Sequence, residues 1–89
     1  MTEQQLQKKI LDYLDSLGAW TVKTISVNKR GVPDILCCYD GQFYGIEVKR
    51  PGKLSTLTEI QKYQIRMIVG AGGVAIAADS LDTVKDIIK

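Results

Sequence analysis

The 89 residues include no histidine, and this absence excludes more chemistry than any other feature of the composition. No Ser-His-Asp or Cys-His nucleophile pair can be assembled, no histidine can act as general base, and no zinc finger with histidine ligands can form. Cysteine is nearly as scarce, and the only two, Cys37 and Cys38, are neighbours. Adjacent residues of a strand point to opposite faces, so this pair is poorly placed to form a bridge or share a metal. They read as two small hydrophobes of a buried strand, with a redox switch as the alternative. Long apolar runs are also missing. None approaches the roughly 18 residues of a membrane span, and no secretory leader is recognisable, so a reducing cytoplasm is the expected location. Nor is one sign of charge in large excess: twelve Lys+Arg against ten Asp+Glu leave +2. A nucleic-acid partner must therefore be argued from local patches.

What remains is the composition of a small globular domain, 45% hydrophobic and 25% charged. A chain of this size buries only about 60% of the surface that its unfolded form exposes, so its core is marginal. One domain over residues 1–89 is expected, with no linker, repeat or low-complexity tract.

The order of elements reads α-β-β-β-α-β-α. Thr2 and Gln5 form a capping box ahead of Leu6, Ile10, Tyr13, Leu14 and Leu17, and Gly18 supplies the stop. Glu3 lies three residues before Leu6 and seven before Ile10, which places a carboxylate on the core-facing stripe of this helix. Trp20 to Val27 predicts a strand with Trp20, Val22 and Thr24 on one side. Asn28-Lys29-Arg30-Gly31 is a basic turn. The strand Ile35–Tyr39 follows, then the hairpin signal Asp40-Gly41 and a returning strand from Phe43 to Arg50. After Pro51-Gly52-Lys53, a second capping box, Thr58 to Gln61, opens a helix with Ile65 and Ile68 that ends near Gly70. Val74–Ala78 predicts a strand packed between helices. Ser80 caps a last helix with Leu81, Val84, Ile87 and Ile88 on its apolar side.

The chemistry concentrates in the third strand. Along Gly45-Ile46-Glu47-Val48-Lys49 the side chains alternate, so if Ile46 and Val48 fill the core, Glu47 and Lys49 share the opposite face. A hairpin centred near Gly41 sets Asp34 opposite about position 48, within reach of Glu47 and Lys49. Two carboxylates beside a lysine suit a hard divalent cation, with the Val48 carbonyl as a further oxygen. Lys49 would hold or help deprotonate the attacking water and offset charge on phosphate. Three Glu and nine Lys predict about 0.3 Glu-x-Lys matches by chance, so the tripeptide alone is weak and an exposed ion pair is the competing reading. The conjunction carries more: Pro-Asp at a strand start, a hairpin, then Glu-x-Lys on an alternating strand.

These residues resemble a known family. Gly31-Val32-Pro33-Asp34, then Gly45 through Ser55, then Gln61 are similar to the virus-type replication-repair nuclease (VRR-NUC) domain of the PD-(D/E)xK nuclease superfamily. The likeness runs from Glu3 through Ala71-Gly72 and extends to archaeal Holliday-junction resolvases. It implies an α/β fold with a restriction-endonuclease-like αβββαβ core, a mixed sheet flanked by helices. It also implies Asp34 and Glu47 as ligands of Mg²⁺ or Mn²⁺, Lys49 as the water-orienting group, Glu3 as an additional acid and Gln61 as a contact to the water or scissile phosphate. A capping role competes for Gln61. The serine expected near that glutamine is ambiguous, since Ser55 and Thr58 both qualify.

Lys29 and Arg30 on one side of the motif, and Arg50 and Lys53 on the other, are candidate DNA contacts, with ordinary solvated loops as the alternative. Trp20 and Tyr44 read as core residues, with base stacking as the other possibility. The activity implied is a metal-dependent DNA endonuclease selective for branched DNA such as a Holliday junction. A non-specific or flap-cutting nuclease, or a non-catalytic DNA-binding module, are the alternatives. Two cuts in a junction require two sites, so a homodimer is expected, with the Leu81/Val84/Ile87/Ile88 helix as one candidate interface. The resemblance points to a bacterial or phage source.

Overall fold

A computed structural model describes all 89 residues. The elements are α1 (Glu3–Ser16), β1 (Trp20–Lys23), β2 (Ile35–Tyr39), β3 (Gln42–Val48), α2 (Glu59–Gly70), β4 (Val74–Ala78) and α3 (Leu81–Ile87), with one 3₁₀ turn at Leu54–Thr56. The four strands form one sheet in the order β1-β2-β3-β4, antiparallel except for the parallel β3–β4 pair. The expected order and the mixed, helix-flanked α/β sheet are both found.

Local signals account for most boundaries. Thr2 and Gln5 complete the capping box of α1, Thr58 and Gln61 that of α2, and Ser80 accepts the Thr83 N–H at the start of α3. Between β2 and β3 the chain reverses over Asp40 and Gly41, both at positive φ (51° and 76°), as a two-residue hairpin requires.

One sheet face meets α1 and α3 around a core of Leu6, Ile10, Leu14, Ile35, Cys37, Ile46, Val48, Ala78, Val84 and Ile88. Burying each large aliphatic side chain contributes about 1.5–3 kcal/mol. The Tyr13 hydroxyl donates to the Ile88 carbonyl at 2.6 Å and ties the C-terminus to α1. Cys37 is buried and Cys38 exposed, on opposite faces as strand geometry demands; burial also raises the Cys37 pKa, assisted by Cys38 and Asp15. On the other face α2 packs over β3 and β4.

The structure departs from the expectations in several places. The first strand ends at Lys23, and Trp20 is 61% exposed, so it is no core residue. The register explains this: Thr21 and Lys23 lie beside the core-facing Cys37 and Ile35, which turns Trp20 and Val22 to the outer face, beyond the reach of α2. Tyr44 is partly buried against the core, as expected. The returning strand ends at Val48 and not at Arg50. Finally, α3 has no free apolar face, because Val84 and Ile88 are buried in the chain's own core and Leu81 packs against it; Ile87 alone is exposed. The apolar side expected to form a dimer interface is thus largely used by the chain's own core.

Candidate active site

The candidate residues meet where β2 begins and β3 ends. Because the hairpin loop is Asp40-Gly41 and Tyr39 pairs with Gln42, the register runs to Ile35 opposite Ile46. Continued by one residue, it sets Asp34 opposite Glu47, one position from the expected 48. The Asp34 carbonyl accepts the Thr24 N–H at 2.8 Å, so its backbone is engaged toward β1. The Asp34/Glu47 pair is therefore of the non-hydrogen-bonded kind, in which facing side chains approach more closely.

Asp34 Oδ2 accepts the Val48 N–H at 2.9 Å. That bond shows the Val48 backbone directed toward β2, and its carbonyl shares that direction. The residue in register there is Pro33, fully buried and without an N–H to donate. The proline thus leaves the Val48 carbonyl without a strand donor, beside two carboxylates. Sequence reasoning treated Pro33 only as part of a motif; its missing N–H was the signal to follow.

Glu47 is 2% exposed. Its Oε2 accepts from Gln61 Nε2 at 3.2 Å and lies 4.0 Å from Lys49 Nζ, whose side chain is itself largely buried. Gln61 also accepts the Thr58 N–H through Oε1 at 2.9 Å. Both readings of this glutamine hold: one amide closes the helix cap and reaches the candidate ligand. Thr58, not Ser55, is the hydroxyl at that helix start.

Burial raises the Glu47 pKa from 4.5 to about 8; the Asp34 charge and a hydrogen bond that protonated Glu47 donates to the Asp34 carboxylate add to the effect, Lys49 opposes it, and Glu3 contributes in the same direction as burial. With both carboxyls ionised, the pair would hold more negative charge than its surroundings compensate, which is why Glu47 keeps its proton. A divalent cation would correct that imbalance, and the donors suit one: two carboxylates and a backbone carbonyl would hold it, with its remaining positions left to water. No group of three or more acidic or cysteine side chains gathers to form a fuller cage. Glu3 stays at the rim, half-buried, where it lines a cavity of about 170 Å³ with Lys49, Arg50, Lys53 and Thr56.

The four candidate DNA contacts are exposed, and none forms an ion pair. Arg50 and Lys53 border the cavity. Lys29 and Arg30 do not line it; their loop docks on α2, where Gln64 Nε2 donates to the Arg30 carbonyl at 3.0 Å. Gly31 permits the docking, with φ 76° and the Ile60 backbone only 2.8 Å from where a Cβ would stand.

No protein-family model matches the chain, and no curated protein does so significantly. Solved structures do. One named VRR_NUC domain superposes with a TM-score of 0.83 at 22% identity, covering 99% of this chain and 96% of its own. The fold is that of VRR-NUC domains. A second structure, named VRR_NUC domain protein, gives 0.78 at 23% identity over 99% of this chain and 85% of its own. At such identities the likeness establishes the VRR-NUC fold, and the chemistry rests on the side chains described above.

Proposed function

We propose that residues 1–89 form one nuclease unit that hydrolyses DNA phosphodiesters with Mg²⁺ or Mn²⁺. The observation that supports the reading is the convergence of Asp34, Glu47, Lys49 and Gln61 beside the unpaired Val48 carbonyl, at the end of the sheet next to a basic cavity. Asp34, Glu47 and the Val48 carbonyl would hold the cation, which when bound supplies charge neutralisation and an acidified water.

The chain's own groups divide the remaining work. The Lys49 ammonium orients the attacking water and offsets charge that develops on the phosphate. Gln61 Nε2 fixes the Glu47 carboxylate and lies next to the same water. Glu3 contributes an additional acid at the rim. Arg50 and Lys53 neutralise phosphates beside the scissile one, and Lys29 and Arg30 do so along the α2 side. The product would carry a 5′-phosphate.

One unit of this size has little surface for reading bases, which favours branched DNA recognised by shape. Paired cuts in a four-way junction need two sites, and we propose that a homodimer supplies them through a face other than α3. Incubation with matched four-way, flap and linear duplexes, with and without Mn²⁺, tests the reading. Faster cutting of the junction is expected, and Asp34→Ala and Lys49→Ala should abolish cleavage while DNA binding survives. Equal cutting of all three substrates removes the junction preference. Binding with no metal-stimulated cleavage identifies a DNA-binding module instead.

A further inference from the structure

Gln7 is 5% exposed and takes no part in the mechanism above. It stands three residues before Ile10 and seven before Leu14, on the stripe by which α1 packs against the sheet. An apolar residue would serve the fold there at least as well. Its Nε2 donates to Glu3 Oε1 at 3.5 Å, one helical turn back. That contact sets the orientation of the amide, since the reverse would press an amide oxygen against a carboxylate. The remaining atom, Gln7 Oε1, is buried and has no partner in the protein. Left so, it has lost its hydration with nothing in return, and buried polar atoms are seldom left so.

Both amide atoms sit on one carbon, so the oxygen lies near the Glu3 carboxylate, and Glu3, though not Gln7, borders the polar cavity shared with Lys49. The missing donor is therefore to be sought on that side. We propose that Gln7 is a positioning residue of the metal site, its amide nitrogen holding Glu3 and its buried oxygen accepting a hydrogen bond from a water shared with the divalent cation. This inference rests on the metal-site reading of Asp34 and Glu47. Partners of this outer kind are worth about 10–100-fold in metal affinity where they have been removed.

Gln7→Met keeps much of the side-chain volume and deletes both polar atoms. Mn²⁺ binding by calorimetry, with melting temperatures in its presence and absence, separates the possibilities. The expected result is a metal-free variant as stable as the wild type or more so, with Mn²⁺ affinity about tenfold weaker. Equal affinity in both proteins, or a loss of metal-free stability with affinity unchanged, overturns the proposal and leaves the metal site standing. A wild type that binds no Mn²⁺ overturns the metal site itself, and this inference with it. Should Gln7→Met fail to fold, the wild type decides by NMR during Mg²⁺ titration. The Gln7 side-chain NH₂ signals should shift with the same midpoint as the Val48 backbone amide; signals that stay fixed refute the role.

Discussion

The buried carboxyl pair should make the stability of the metal-free protein fall as pH rises. Glu47 has a pKa of about 8 in the folded chain against 4.5 in the ordinary state. Between those values the folded state holds a proton that the unfolded state has released. Stability changes with pH as the unfolded minus the folded proton count, which is negative here, so the contribution is complete below about pH 4.5 and is lost as pH climbs through 8. Integrated from pH 5 to 8, one such group removes about 3 kcal/mol, a large part of the 5–15 kcal/mol that small domains possess. With a urea slope of about 1.5 kcal/mol per molar, the midpoint should drop by about 2 M. Far-UV circular dichroism is the suitable probe, because Trp20 is exposed and reports folding poorly. Glu47→Gln keeps a neutral group beside Asp34 and should flatten the profile, while abolishing any stabilisation by Mn²⁺. A flat wild-type profile, or an unchanged slope in Glu47→Gln, would refute the assignment of this proton to Glu47.

Three further outcomes are expected. Gly31→Ala should destabilise the chain by about 1–3 kcal/mol in urea melts, through its positive φ and the clash with the Ile60 backbone, and should weaken DNA binding by displacing Lys29 and Arg30. Arg50→Gln and Lys53→Gln should each lower the slope of log affinity against log salt by about 1, without changing sequence preference in filter-binding titrations. Pro33→Ala restores an N–H opposite the Val48 carbonyl and should weaken Mn²⁺ binding measured by calorimetry; unchanged affinity would show that this carbonyl takes no part.

Much of this architecture was legible because its signals are local. Thr2 with Gln5, Thr58 with Gln61, and Ser80 each announce a helix start through hydrogen bonds that close within three residues. Asp40-Gly41 announces the hairpin by backbone conformation alone. What escaped depends on distant packing. The exposure of Trp20 follows from where α2 lies over the sheet, and no pattern within β1 encodes that. The apolar face of α3 suggested an interface, but an amphipathic stripe does not say whether its own chain or another covers it. The facing of Asp34 and Glu47 was misplaced by one residue, because a hairpin centre shifted by half a residue moves every partner by one. Gln7 was overlooked because a polar residue interrupting an apolar stripe reads as noise until its burial is known.

The candidate site is built from the same contacts that end the secondary structure, which limits how far the two can vary independently. Pro33 stops the β2–β3 ladder for want of an N–H, and the stop itself frees the Val48 carbonyl. Asp34 accepts the Val48 amide that the interrupted ladder would otherwise strand, and by doing so faces Glu47. Gln61 closes the cap of α2 with one amide atom and holds Glu47 with the other. A substitution at any of these positions therefore disturbs an element end and the carboxylate pair together. Lys49 is different: its backbone N–H bonds the Ala78 carbonyl whatever side chain it carries, so its ammonium can be removed with the sheet intact. It is the position at which chemistry separates most cleanly from folding.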